Sequence, residues 1–117
     1  MVDKESNQNG VILISTFSDE KSLIDLSNTL IMEKRICACV NYTTVKSIYK
    51  WHSNLQQENE FLAFFKTTSD CAEKLKTEIK KNHPYDVPEV VVIKMSDVSP
   101  EYLNWMYENT HREHAES

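Results

Sequence analysis

Apolar and polar positions at the start of the chain predict a strand followed by a helix. Residues 11–17 (VILISTF) are β-branched and almost wholly apolar, which is typical of a strand covered on both faces. Ser18 is a suitable N-cap for the helix that follows, and three successive charged residues, 33–35, indicate its end. The residues that recur at helical spacing and should face the core are Leu23, Leu26 and Leu30.

Residues 36–67 predict one long β-hairpin. β-Branched and aromatic residues alternate with polar ones on two arms, which are separated by residues 52–54. An arm of about 14 residues spans roughly 45 Å at ~3.3 Å per residue, whereas a globule of this chain length is about 35 Å across. We therefore expect the hairpin to project and to pair its apolar edge with another subunit. The residues expected at this interface are Ile48, Tyr49 and Trp51.

The chain after the hairpin predicts a second helix and a fourth strand. Thr68 or Ser69 would cap a helix over residues 70–81, and Pro84 would prevent its continuation. Residues 89–95 (EVVVIKM) carry apolar side chains on both faces, which favours an interior strand.

A third helix ends the pattern, with Ser99 as its N-cap and Pro100 at its first position. The predicted order is therefore β, α, β, β, α, β and α. Two βαβ halves that share one sheet form the ferredoxin-like arrangement. We expect an α+β, ferredoxin-like βαββαβ sandwich with helices on one face, a long β-hairpin and an extra C-terminal helix.

Length and composition limit the number of domains and the kinds of partner. The 117 residues fit one domain, which we place at residues 11–108 between a disordered tail of residues 1–10 and a polar tail of residues 109–117. Because the chain holds one glycine, phosphate-binding loops that need several glycines are excluded. A formal net charge of −5, with scattered basic residues, argues against a nucleic-acid partner.

The cysteines and the lack of long apolar runs predict a cytoplasmic protein. Cys37, Cys39 and Cys71 cannot all pair, and in a short chain without a signal peptide they are expected to be reduced thiols. Residues 1–9 are polar, and no run approaches the ~20 apolar residues of a membrane span. We therefore expect no membrane partner.

A turn between two prolines holds residues suited to a divalent metal. In residues 83–89 (HPYDVPE) the prolines fix the backbone, while His83 and Glu89 offer a nitrogen and a carboxylate. A histidine at a helix C-terminus also interacts with the helix dipole, which is the structural alternative. Cys37 and Cys39 share one face of a strand, where they would bind a soft metal or fill the core. The metal candidates are His83, Glu89 and Cys39; the only cofactor indicated is a divalent ion, copper or zinc.

Four further residues suit a small-metabolite pocket. Lys66 follows the apolar run FLAFF, and an inward-facing lysine requires a partner or a ligand. Trp51 provides either packing surface or a platform for a ligand. The predicted ligand pocket consists of Glu60, Lys66, Tyr85 and Trp51.

Five segments form a specific combination when they are taken in order along the chain. They are residues 38–41 (ACVN), residues 47–51 (SIYKW), Glu60 with residues 65–67 (FKT), residues 83–89 (HPYDVPE) and residues 102–105 (YLNW). Together they resemble the CutA family of divalent-ion tolerance proteins. The resemblance covers residues 11–106, and the HPYxVPE segment is its most specific part.

This resemblance implies a ferredoxin-like fold, a tight homotrimer whose hairpins pair between subunits, and a cytoplasmic setting, with no established enzyme activity. In family members for which copper binding was proposed, a cysteine and a second histidine stand at positions that are Ser15 and Asn82 here. Only His83 of that ligand set remains. The resemblance therefore implies weak divalent-metal binding.

Three functions follow from these observations. The preferred one is a non-enzymatic, trimeric cytosolic protein of the divalent-cation tolerance type, which responds to metal ions and binds copper weakly. The second is a PII-like small-molecule-sensing trimer with its ligand in the cleft between subunits. The third is an enzyme with Cys39 as nucleophile and His83 as base, which we do not favour because no orienting third group is indicated.

Overall fold

The computed structural model describes residues 9–110, which contain four strands and three α-helices. The strands are β1 (Gly10–Phe17), β2 (Cys39–Trp51), β3 (Asn54–Thr68) and β4 (Val91–Lys94). The helices are α1 (Glu20–Asn28), α2 (Ala72–Asn82) and α3 (Pro100–Glu108). A π-helical turn, Thr29–Glu33, continues α1, and a 3-10 turn, Ser69–Cys71, precedes α2. This order confirms the predicted α+β succession of elements.

The four strands form one antiparallel sheet in the order β2-β3-β1-β4. α1 and α2 cover one face of it, because alternate residues of β1 and β3 pack against the apolar stripes of these two helices. The buried residues of this core include Val11, Leu13, Phe17, Leu23, Leu26, Leu30, Ala63, Phe65, Leu75 and Ile79.

The extra helix α3 lies on the opposite face of the sheet. In β1 the side chain of Val11 faces the core, so the neighbouring Gly10 faces the other side. A Cβ atom on Gly10 would overlap Met95 Sδ and lie 3.0 Å from Met106 Cε. The chain's only glycine therefore leaves space for two methionines that attach α3 to the sheet.

β2 and β3 form the predicted long hairpin, with arms of 13 and 15 residues. β1 ends at Phe17, opposite Phe61, and beyond that pair β3 has only β2 as a neighbouring strand. The described part of the chain measures 53 × 28 × 21 Å. Its longest dimension exceeds the ~35 Å expected for a globule of this length, since the hairpin projects.

The hairpin turn contains two residues, one fewer than the predicted turn at residues 52–54. His52 (φ 52°) and Ser53 (φ 68°) both adopt the left-handed backbone conformation that such turns require, and Asn54 already belongs to β3. Trp51 consequently lies opposite Asn54. This register decides which side chains share a face of the hairpin.

The prediction that residues 89–95 form an interior strand is wrong. β4 is shorter than predicted and lies at an edge of the sheet, where it pairs only with β1. All four of its residues are exposed, including Val91, Val92 and Ile93. Apolar side chains on both faces of a strand indicate that both faces pack against other elements. They do not indicate whether those elements belong to the same chain.

Asp19, rather than Ser18, caps α1. Its carboxylate accepts hydrogen bonds from the hydroxyl of Ser22 and, at 2.8 Å, from the Ser22 backbone N–H. These hydrogen bonds hold the pKa of Asp19 below its usual value. At α3 the prediction is confirmed, because Ser99 Oγ accepts the backbone N–H of Tyr102 at 3.3 Å and a proline begins the helix.

The part of the chain that the structure describes extends slightly into both predicted tails. Gly10 already belongs to β1, and Thr110 is fully buried beside the end of α3. The other predicted tail residues, 1–8 and 111–117, lie outside the part of the chain that the structure describes.

Candidate functional site

His83 follows α2 directly and forms hydrogen bonds through both ring nitrogens. Its Nδ1 accepts the backbone N–H of Tyr85 at 3.1 Å. Its Nε2 lies 2.9 Å from the carbonyl oxygen of Thr16 and 3.1 Å from Ser15 Oγ. Because a carbonyl oxygen only accepts, the partners assign the proton to Nε2 and leave Nδ1 as the acceptor. His83 is therefore the neutral Nε2–H tautomer.

The surroundings of His83 also favour its neutral form. Its ring stacks on Phe17, with centroids 4.3 Å apart and planes inclined by 23°. Partial burial lowers the pKa of His83 and outweighs the opposite effects of the Thr16 hydrogen bond and the Glu60 carboxylate. A metal ion at this ring would have to displace one of its hydrogen bonds. In this arrangement His83 anchors the turn that follows it.

Tyr85 connects this turn to the hairpin. Its hydroxyl donates a 2.5 Å hydrogen bond to Glu60 Oε2 on β3. Only 7% of Glu60 is exposed. Burial and the adjacent Glu60 carboxylate both raise the pKa of Tyr85. The contacts of His83 and Tyr85 thus hold the HPYDVPE turn across the end of β1 and against β3.

Between this turn and the projecting hairpin lies an open cleft of about 730 Å³. Its floor is one face of the hairpin, where three cross-strand pairs follow one another along the arms. These pairs are Ser47 with Glu58, Tyr49 with Gln56, and Trp51 with Asn54. Its wall is the turn, which contributes Tyr85, Asp86, Val87 and Glu89.

The lining of the cleft is acidic and aromatic. Its carboxylates are Glu58, Glu60, Asp86 and Glu89, and its large rings are Tyr49, Trp51 and Tyr85. No lysine or arginine among residues 9–110 lines it. Partial burial and the charges of Glu58 and Glu60 raise the pKa of Tyr49. The electrostatic field of the cleft therefore favours cations over anions.

The structure brings together three of the four residues predicted for a ligand pocket. Glu60, Tyr85 and Trp51 line the cleft, as do Ile48 and Tyr49, which were predicted at an interface. Lys66 does not line it. Lys66 shares a face of β3 with Glu60 but lies six residues away, which is roughly 20 Å along a strand.

The three metal candidates occupy different parts of the described chain. His83 lies beside Ser15 and Thr16, and Glu89 lies in the wall of the cleft. Cys39 lies on β2 opposite Lys66, and its thiol donates a 3.6 Å hydrogen bond to Asn41 Oδ1. Over residues 9–110, no three side chains of the ligating types come together around one point.

The other two cysteines are buried and poorly nucleophilic. Burial raises the pKa of Cys37 to about 12, and its thiol donates to the carbonyl oxygens of Cys39 and Lys66. Burial also raises the pKa of Cys71. All three thiols are free. Because only the thiolate is reactive and a raised pKa keeps the thiol protonated, Cys37 and Cys71 act as core residues and not as nucleophiles.

The sequence predicted Trp51 and Glu60 in a pocket but not the rest of the cleft floor or the partners of His83. Ser47 becomes a neighbour of Glu58, and Gln56 of Tyr49, only through the hairpin register, which a two-residue turn at positions 52–53 would have indicated. Phe17 and Thr16 contact His83 across more than sixty residues of chain. Nothing local in the sequence marks such contacts.

Comparison with known proteins reveals one group of relatives. The CutA1 divalent ion tolerance protein family matches residues 11–109. A divalent-cation tolerance protein CutA from Thermotoga maritima is 35% identical over 99 residues, which are 85% of this chain and 97% of the relative. The crystal structure of CutA1 from Pyrococcus horikoshii has a TM-score of 0.83 at 36% identity and covers 87% of this chain and 99% of its own.

A more distant solved structure has the same fold. It is that of a protein from Archaeoglobus fulgidus described as periplasmic divalent cation tolerance protein CutA, with a TM-score of 0.83 and 25% identity over 87% of this chain and 99% of its own. None of the helices within residues 9–110 has the length and apolar character needed to cross a bilayer.

Proposed function

Because the chain belongs to the CutA1 divalent ion tolerance family, we propose that it supports tolerance of divalent cations as a non-enzymatic homotrimer in the cytoplasm. Family membership supports the role in tolerance. The observation that carries the assembly is that one subunit exposes two unpaired sheet edges.

The two free edges differ in length and in residues. β4 exposes all of its residues at one edge of the sheet, and the 13-residue β2 forms the other edge. Unpaired edges offer backbone N–H and C=O groups to another chain. Contact between unlike edges is head-to-tail, and head-to-tail contacts close into rings such as trimers when the rotation between neighbouring subunits closes. The topology thus supports a cyclic homo-oligomer.

Apolar side chains on the projecting hairpin also support assembly. Ile48 is 68% exposed and Trp51 is 44% exposed, while Tyr49 lies between them on the same strand. Contiguous exposed apolar surface commonly marks a protein interface. These are the residues that the sequence suggested for the trimer contact.

Sedimentation of matched variants tests the assembly. Ile93→Lys places a charge on the β4 edge and should shift the protein from three times the subunit mass toward monomer. Ile24→Lys is the control, because Ile24 on α1 is 41% exposed, close to the 43% of Ile93. A monomeric parent protein, or equal effects of the two substitutions, would contradict the proposal.

We further propose that direct binding of copper or zinc is weak and depends on His83, because Glu89 and Cys39 lie apart from it within one chain. Ser15 Oγ lies 3.1 Å from His83 Nε2, where a thiolate would be a far better soft-metal ligand than a hydroxyl. Ser15→Cys should therefore tighten copper binding. That gain should disappear in Ser15→Cys/His83→Ala.

Isothermal titration calorimetry measures this metal binding. The tail histidines, His111 and His114, are replaced first to remove adventitious chelation. Tight copper binding that survives His83→Ala would place the metal site elsewhere.

The proposal of a non-enzymatic role rests on the state of the nucleophile candidates. Ser15 and His83 are in contact, but Ser15 is fully buried and Nε2 already carries a proton, so it cannot accept the hydroxyl proton. Cys39 lies opposite Lys66, on a part of the sheet that His83 does not contact. His83 therefore does not serve as the base for either nucleophile.

Growth complementation tests the physiological role. A bacterial strain that lacks its own CutA protein should regain growth in high copper or zinc when it expresses this chain, whereas Ile93→Lys should fail and Ile24→Lys should succeed. Failure of the unmodified chain would contradict a role in tolerance. Fractionation of the same cells tests the cytoplasmic location, which recovery of the protein with a periplasmic marker would contradict.

The cleft favours a second candidate function, a PII-like small-molecule sensor with its ligand between subunits. The observation behind it is a cavity of about 730 Å³ in which the buried Glu60 is fixed by Tyr85. Native mass spectrometry with a metabolite panel tests it. A bound mass that is lost in Trp51→Ala while the mass of the trimer is retained would support sensing, and a cleft that stays empty would contradict it.

A further inference from the structure

Glu60 is a buried carboxylate without a cationic partner in the described subunit. It accepts a hydrogen bond from the neutral hydroxyl of Tyr85, and no ion pair involving it occurs within residues 9–110. The nearby His83 is held neutral by its own hydrogen bonds. Because burying an unpaired charge is costly, Glu60 should attract a cation into the cleft.

A bare metal ion does not fit this position. No cluster of three ligating side chains exists in the described chain. Glu58 and Glu60 lie two residues apart on one face of the strand, so their Cα atoms are about 7 Å from each other. Divalent ions bind oxygens at about 2–2.6 Å from the metal, and several ligands must converge on one point. The carboxylates are instead distributed along the floor of the cleft.

The remaining lining suits the aliphatic part of an organic cation. Tyr49 and Trp51 continue the same floor face beyond Glu58, with rings that are both partly exposed. Aromatic faces attract alkylammonium groups and cover their methylene chains. Two acidic positions, Glu60 and Glu58, are thus followed along the floor by two aromatic ones, Tyr49 and Trp51.

From this arrangement we propose that the cleft binds a linear polyamine, with two ammonium groups at Glu60 and Glu58 and the methylene chain beyond them against Tyr49 and Trp51. The inference rests on the second function proposed above, since it names the ligand class of that same cleft. A chain with separated positive charges matches carboxylates spaced along a groove, whereas an anionic metabolite would meet carboxylates alone.

Isothermal titration calorimetry of the full chain with spermidine and putrescine tests the proposal. Glu60→Gln keeps an acceptor for Tyr85 but removes the charge, and Glu58→Gln removes the second charge. Each should weaken spermidine binding about tenfold or more, since charge-assisted hydrogen bonds are lost. Glu73→Gln on α2 is the control, because Glu73 is 83% exposed and does not line the cleft.

Three results would overturn the proposal. The first is no spermidine binding at physiological salt, and the second is equal weakening by all three glutamine variants. The third is full displacement of spermidine by magnesium ions at a concentration that supplies the same total positive charge. Native mass spectrometry separates failure of this inference from failure of the sensing function. A metabolite of another class that Trp51→Ala releases would overturn the polyamine and leave sensing intact, whereas an empty cleft would overturn both.

Discussion

The hydrogen bond from Tyr85 to Glu60 should contribute measurably to stability. Tyr85→Phe removes only the hydroxyl group. Glu60 is 93% buried, and its carboxylate then lacks its only hydrogen-bond donor among residues 9–110. Loss of a hydrogen bond to a charged group costs about 1.5–3 kcal/mol in general. Because Tyr85 is itself only half-buried, we expect about 1.5–2 kcal/mol, the lower part of that range.

Tyr42→Phe provides the matched control. The hydroxyl of Tyr42 donates to Glu20 Oε2 at 2.7 Å, but both residues are exposed. Water replaces such a partner easily, so we expect a clearly smaller loss of stability than in Tyr85→Phe. The two variants therefore compare one type of hydrogen bond in a buried and in an exposed setting.

Urea unfolding at fixed protein concentration measures both losses, because assembly would make the midpoint depend on concentration. Combining Tyr85→Phe with Glu60→Ala, which removes the acceptor, gives a double-mutant cycle that isolates the pairwise free energy. Equal losses in Tyr85→Phe and Tyr42→Phe, or a coupling energy near zero, would refute the view that Glu60 depends on Tyr85.

Three other changes have expected outcomes. Ser53→Gly should raise the free energy of unfolding by up to about 1 kcal/mol, because Ser53 has a φ of 68°. The urea midpoint should rise accordingly, and an unchanged midpoint would contradict a strained turn. Because the pKa of His83 is lower in the folded protein than in the unfolded chain, His83 contributes stability above pH ~6.5, and this contribution is lost as the pH falls through the folded-state pKa. His83→Gln should abolish this pH dependence of the free energy of unfolding. Trp51→Ala should weaken assembly by up to ~3–5 kcal/mol if the ring is fully packed in the trimer, which sedimentation over a dilution series would reveal.

Local signals account for most of the fold that the sequence predicted. The leucine stripe of α1 and the cap of α3 depend on residues within a few positions of each other, so their chemistry is visible in one chain. β4 shows the limit of such signals. Its apolar residues predicted cover on both faces, yet pattern alone does not distinguish a neighbour in the same chain from a neighbour in another subunit.

The candidate site was predictable only in part, because it depends on distances between strands and loops. Residue type grouped Lys66 with Glu60, and the strand period places both on one face, but their separation along β3 excludes a shared pocket. The link between His83 and Ser15 joins the end of a helix to the first strand. That contact is long-range, and its cause lies in the packing of the whole sheet.

The attachment of α3 through two thioethers creates a chemical vulnerability. Met106 is fully buried and Met95 is half-buried, and both reach the space left by Gly10. Oxidation to the sulfoxide would make either side chain polar and bulkier at a contact that already depends on the missing Cβ of Gly10. Met95, the more accessible of the two, should react with peroxide first, and each oxidised subunit would then hold its last helix less firmly. Because methionine sulfoxide is reversible by its reductases, that loosening would also be reversible.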